Sequence, residues 1–151
     1  MKSLIEWLFP STVTNQVKGY QLASSLFLIL SIVSIGRSLI HFLAPDGGAG
    51  TIAGIDLSFA GSQSVVFAFG LWGLSQLIYG FLQFLVAIRY RSLVPMMWLI
   101  LIFETLGRML VGFMKPPILL HTPPGGIANY LLLPFAIVML VLTYLTPKKK
   151  T

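Results

Sequence analysis

LASSLFLILSIVSIG, residues 22–36, carries no charged side chain and alternates bulky apolar residues with serines and alanine. Water cannot solvate such a stretch, whereas lipid needs no polar partner from it. Extended to its natural limits, 17–43, the segment reaches roughly 40 Å as a helix, more than the ~30 Å hydrocarbon layer requires. It therefore reads as a first membrane span that tilts or projects past the lipid at one end.

Three further segments of the same kind follow: 62–88, 93–113 and 127–145. The joining segments are a long glycine-bearing loop at 44–60, a tight turn at Arg89–Ser92, and a proline-rich loop at 114–126. Ser92 is a candidate N-cap, and Pro95 suits a first helical turn. Pro134 lies inside the fourth span and predicts a kink or a local loosening. The whole chain agrees. Of its 151 residues 56% are hydrophobic and only 9% charged, with a mean hydropathy of +0.90. A water-soluble domain carries about 25% charged residues. The expected fold class is all-α: an integral membrane bundle of four antiparallel helices, domain 17–145.

Residues 1–16 predict an amphipathic segment at the membrane interface, with Leu4, Ile5, Leu8 and Phe9 against Lys2, Ser3 and Glu6. Trp7 suits the headgroup level. Glu6, Trp7 and Pro10 break up what a signal peptide would need as an apolar run. Residues 146–151 read as a basic cytoplasmic tail. Lys2, Lys18, Arg89, Arg91 and the Lys148–Lys150 run fall on one side of an even number of spans. Asp46, Asp56, Lys115 and His121 fall on the other. The positive-inside bias then predicts both termini in the cytoplasm.

The net charge of +6 reads as a basic edge facing anionic lipid headgroups. Nucleic acid is excluded as a partner, since no basic and aromatic residues interleave on a soluble surface. Cysteine is absent, which excludes disulfides and thiolate ligands. No paired metal-ligand motif occurs, and no cofactor or metal is expected. DGGAG at 46–50 lacks the lysine and strand context of a phosphate loop, and GSQSV at 61–65 lacks the strand before a nucleophile elbow.

The informative residues are the polar ones within the spans. Arg37 and His41 share a face of the first span, and Glu104 and Arg108 share a face of the third, each at i and i+4. Charges at that depth must face the bundle interior or reach the headgroups. Connectivity puts all four near the outer end. Asp46, Asp56 and His121 hang from the outer loops, and Asn129 and Tyr130 open the fourth span, so together they form a possible outer cap. Two readings stand: a salt bridge that satisfies itself, or a site for an anionic lipid or amphiphile, whose headgroup guanidinium pairs well. Glu104 is also the candidate acid or base of a small lipid-modifying enzyme. Ser24, Ser31 and Ser38, with Gly73, Gly80 and Gly107, read as helix-packing positions where backbones approach closely. Gln76 and Gln83 share a face and read as interhelical hydrogen-bonding groups.

Four spans, an Asp-bearing loop before the second, a glycine-bearing second span and ETLGR at 104–108 resemble the DoxX-like small four-helix bacterial membrane proteins. The resemblance covers 20–145 and is strongest to an uncharacterised group of that type. It implies a four-helix bundle in the bacterial inner membrane and supplies no reaction. Some DoxX-like proteins are subunits associated with quinone-linked oxidoreductases, a role that no residue here carries over. With so little mass outside the bilayer, the first expectation is an accessory or scaffold subunit that packs against other integral membrane subunits or itself. The alternative is a stand-alone protein that binds an anionic lipid or small amphiphile at Arg37, His41, Glu104 and Arg108.

Overall fold

The computed structural model describes residues 3–145. Lys2 and the 146–151 tail with its three lysines lie outside the described residues. The elements are α1 (Leu4–Leu8), α2 (Gln21–Leu43), α3 (Ser62–Arg89), a single 3-10 turn (Arg91–Leu93), α4 (Val94–Met114) and α5 (Pro124–Tyr144). No strand occurs among the described residues, only an isolated antiparallel bridge between Ile55 and Leu119. α2 to α5 are each long and apolar enough to cross a membrane. The protein is thus an all-α, multi-pass membrane bundle.

Local chemistry sets the helix ends. α2 starts at Gln21 rather than at 17, because Gly19 takes a positive φ of 69° and Tyr20 is extended at the N-cap. Its last turn stops before Pro45, with Ala44 extended as a residue preceding proline must be. α5 starts at Pro124 rather than 127. Pro123 is its extended N-cap, and Pro124 occupies a first-turn position where a missing N–H costs nothing. The helix continues through Pro134. Ser92 does not cap α4. It sits in the 3-10 turn, and its Oγ accepts the Thr14 N–H at 2.9 Å.

The bundle is two helical hairpins. α2 packs along α3, and α4 along α5, while α3 and α4 touch sparsely despite the tight turn between them. At Gly73 an added Cβ would lie 2.6 Å from the Phe42 nitrogen, and at Gly80 3.0 Å from the Ile35 side chain. These two glycines set the separation of α2 and α3. Ser24, Ser31 and Ser38 are all buried on α2. The Ser31 and Ser38 hydroxyls donate back to Leu28 and Ser34 carbonyls at 2.7 and 2.6 Å. Gly107 corrects the expectation made for it: a Cβ there would meet nothing within 4 Å, so it packs against no helix of this chain.

The apolar core occupies one half of the bundle. Ala23 and Phe27 of α2, Val86 and Ala87 of α3, Val94, Met97, Trp98 and Leu101 of α4, and Ala136 and Met139 of α5 form one cluster. All lie in the half nearest the Arg91–Leu93 turn. Trp98 is its centre, edge-on to Phe27 at 5.3 Å and to Phe135 at 5.7 Å, with its Nε1–H donated to the Ala23 carbonyl. The N-terminal segment closes this end. Trp7 donates to the Thr143 carbonyl and stacks edge-on against Tyr144. Thr14 and Ser92 exchange backbone and side-chain bonds, and the Tyr20 N–H reaches Leu142. Gly19 passes so close to α5 that a Cβ would lie 2.3 Å from the Leu142 oxygen. Leu4, Ile5 and Phe9 stay exposed.

Candidate functional site

In the other half the hairpins part and leave a cavity of about 1190 Å³. Ligand pockets commonly run ~300–1,000 Å³, so this one accommodates a sizeable molecule. Most of its wall is apolar, including Leu30, Leu101, Leu132 and Phe135. Val33 and Ile40 of α2 and Leu131 of α5 line it while remaining largely exposed. The cavity therefore opens sideways past these three residues.

One wall is polar and draws on all four spanning helices. Arg37 of α2 donates through Nη2 to Gln76 Oε1 of α3. Gln76 Nε2 donates to Glu104 Oε1 of α4 at 3.4 Å. Arg108, one turn along, pairs with the same Glu104 oxygen through Nη1. Arg108 also donates through Nε to Asn129 Oδ1 of α5 at 3.2 Å and through Nη2 to Thr105 Oγ1 at 3.1 Å. In a medium of low dielectric each of these groups would be costly alone, and the chain of bonds is what makes them tolerable within the spans. Two guanidiniums against one carboxylate leave this wall with an excess of one positive charge. Arg37 stacks over Trp72 with its guanidinium carbon 5.2 Å from the ring, and its remaining N–H donors make no hydrogen bond among the described residues.

His41 lines the cavity but is otherwise occupied. It is 4% exposed, its ring lies 4.8 Å from Trp72, and its Nδ1 is 2.8 Å from the Gly47 carbonyl. An acceptor at that position requires the proton on Nδ1. His41 thus ties the 44–61 loop down onto α2.

The two long loops meet above the cavity. The Leu120 N–H donates to the Gly54 carbonyl at 2.7 Å, beside the Ile55–Leu119 bridge. Ile52, Ala53 and the Pro123–Gly126 stretch line the roof. The acidic residues of the expected cap hold the loop itself rather than the cavity. Asp46 accepts the N–H groups of Gly48, Gly50 and Thr51 at 2.8, 3.1 and 2.8 Å. Those bonds, Thr51 first, hold its carboxyl below the usual carboxylate range. Asp56 is held low by Ser58, through its hydroxyl first and then its N–H at 2.9 Å. His121 abuts Gly54, where a Cβ would clash with it. Tyr130 is 70% exposed on the outer surface of α5, away from Asn129.

Trp72 and Tyr79 were not among the residues singled out in the sequence, yet both line the cavity. With Gln76 and Gln83 they fall at i, i+4, i+7 and i+11, a single stripe of α3, and that periodicity was the available signal. Among the described residues no group of three His, Asp or Glu side chains could hold a metal ion. No protein-family model, curated protein or solved structure matches this chain.

Proposed function

We propose that this membrane protein holds an anionic amphiphile, with its headgroup at Arg37 and Arg108 and its chain along the apolar wall. The observation that carries the reading is the convergence of Arg37, Gln76, Glu104, Arg108 and Asn129 on one wall of a cavity otherwise lined by apolar side chains. A single carboxylate or phosphate monoanion balances the excess positive charge. The unused donors of Arg37 match such a group, and the lateral opening past Val33, Ile40 and Leu131 admits a molecule from the bilayer.

Other readings have less support. Glu104 Oε1 receives both Arg108 and Gln76, which favours a structural carboxylate over an acid or base. The accessory-subunit reading rests on small extramembrane mass alone. A DoxX-like relationship and a bacterial inner-membrane location are proposed from the four spans and the 104–108 motif. Lys18, Arg89 and Arg91 at one end support cytoplasmic termini.

The test is binding in a neutral detergent. A brominated fatty acid and a brominated lysophosphatidate, compared with a brominated monoacylglycerol, would be titrated while tryptophan fluorescence is followed in a Trp7→Phe background, which leaves Trp72 in the cavity wall and Trp98 in the core. Either anion is expected to bind at least about tenfold tighter than the neutral lipid, a difference of ~1.4 kcal/mol, and Arg37→Gln to abolish the difference. Equal quenching by all three refutes the reading. Preference for only one of the anions identifies the headgroup.

A further inference from the structure

Below the polar wall the cavity stops at a common depth on all four spanning helices. Its deepest lining residues are Leu30 on α2, Gln83 on α3, Leu101 on α4 and Phe135 on α5. Three or four residues further in along the same helices stand Phe27, Val86, Trp98 and Met139, all members of the apolar core. Phe27 and Trp98 are 0% exposed, and Phe135 rests edge-on against Trp98 at 5.7 Å. The cavity is therefore a blind well with a solid floor.

We infer that this floor gauges chain length and, on the amphiphile reading above, selects an anionic amphiphile whose straight apolar chain is about eight methylenes long. Each helix supplies its own measure of the depth. Leu30 lies seven residues from Arg37, Gln83 seven from Gln76, Leu101 seven from Arg108 and Phe135 six from Asn129. At ~1.5 Å per residue these separations correspond to roughly 9–10.5 Å on every helix. Two of the helices run toward the outer loops and two away from them, yet all four agree. Carbon–carbon bonds of ~1.5 Å advance an extended chain by about 1.25 Å per methylene, so about eight methylenes span the well.

Between the headgroup level and the floor, Leu30, Leu101, Leu132 and Phe135 offer the chain apolar contact. Each methylene that leaves water for such a wall gains about fourfold in affinity. At the floor the gain ends. The lateral opening at Val33 and Leu131 lies three and four residues above Leu30 and Phe135, about one helical turn. Surplus carbons must double back to leave through it, or press on side chains that are already close-packed. Leu30 and Phe135 are thus the residues that set the length.

The experiment uses straight-chain carboxylic acids shorter and longer than about eight methylenes. Each competes with the brominated fatty acid for the full-length protein in neutral detergent. The thermal midpoints of Phe135→Ala, Leu30→Phe and Arg37→Gln are checked first. The affinity of each variant is divided by that of wild type at every length, so that partitioning into the micelle cancels. Phe135→Ala deepens the well. It is expected to bind acids longer than the gauge at least about fourfold tighter than wild type, the value of one further buried methylene, and shorter acids within about twofold of it. Leu30→Phe raises the floor and is expected to weaken acids near the gauge length while sparing shorter ones. Should Phe135→Ala fail to fold, Leu30→Phe decides alone. A ratio that is flat across the lengths refutes the gauge, and if Arg37→Gln weakens every acid of the series the headgroup reading survives. If no acid binds, or none depends on Arg37, both readings fail together.

Discussion

Gly73 faces the backbone of α2 so closely that a methyl group has no room. A Cβ at this position would stand 2.6 Å from the Phe42 nitrogen, 2.7 Å from the His41 carbonyl carbon and 2.9 Å from the His41 Cβ. Two of these three neighbours are backbone atoms, which cannot rotate away. Ordinary contact begins at 3.4 Å, so Gly73→Ala must push α2 and α3 apart by roughly 0.8 Å at this level. Overpacking of this kind costs ~1–3 kcal/mol. The displacement falls one turn from Arg37, whose bond to Gln76 bridges the same two helices. Anion binding should therefore weaken together with stability. Gly107→Ala is the matched control. It adds the same methyl group in a spanning helix, but with nothing within 4 Å, and a better helix former gains up to ~1 kcal/mol there. The assay is reversible unfolding by denaturing detergent in mixed micelles, followed by tryptophan fluorescence. Gly73→Ala should unfold earlier than wild type, and Gly107→Ala at the same point or later. Indistinguishable midpoints for the two variants would refute the reasoning, because it assigns them opposite signs from the α2–α3 approach alone.

Two further outcomes follow from the polar groups. Arg108→Gln leaves Glu104 without its ion pair, and losing one partner of a buried pair costs ~3–5 kcal/mol. With the two side chains 28% and 29% exposed, the pair is only part-buried, so a cost between that range and the ~0–1 kcal/mol of an exposed pair is expected, and Glu104→Gln combined with Arg108→Gln should recover part of it in the same unfolding assay. At the loop end, bonds from Thr51, Gly48 and Gly50 hold the Asp46 carboxyl below its usual range. A depressed folded-state value means stability that is complete above the ordinary carboxylate value of ~3.9 and lost as pH falls through the lower folded one. Amide exchange at Gly48, Gly50 and Thr51, corrected for intrinsic rates, should stay slow at neutral pH and accelerate only in that acid window. Asp46→Ala should make it fast at every pH.

The long loop illustrates why some of the site escaped a linear reading. Asp46 and Asp56 looked like cap groups because they hang beyond the ends of α2 and α3. Carboxylates in glycine-rich turns are readily taken by nearby backbone N–H groups, and both were. His41 was legible as a polar residue near Arg37, but its bond to the Gly47 carbonyl depends on where the loop folds back. Glu104 and Arg108 were legible as a pair, since i and i+4 suffices to bring them together. Their reach to Gln76, Asn129 and Arg37 was not, since it depends on the rotation of three other helices.

Four spans, their approximate limits and the polar residues within them were determined by the sequence alone. The cost of exposing backbone or charge to lipid is large enough that length and hydropathy decide these locally. Which helices pair, where the bundle is solid and where it is hollow were decided only in the tertiary structure. A soluble helix announces its buried face by contrast with its polar one. In lipid both faces are apolar, so the contrast is lost, and pairing falls to close packing at points such as Gly73 and Gly80. Packing is a property of surfaces in contact, and Gly107 carried the same signature in the sequence without meeting a neighbour.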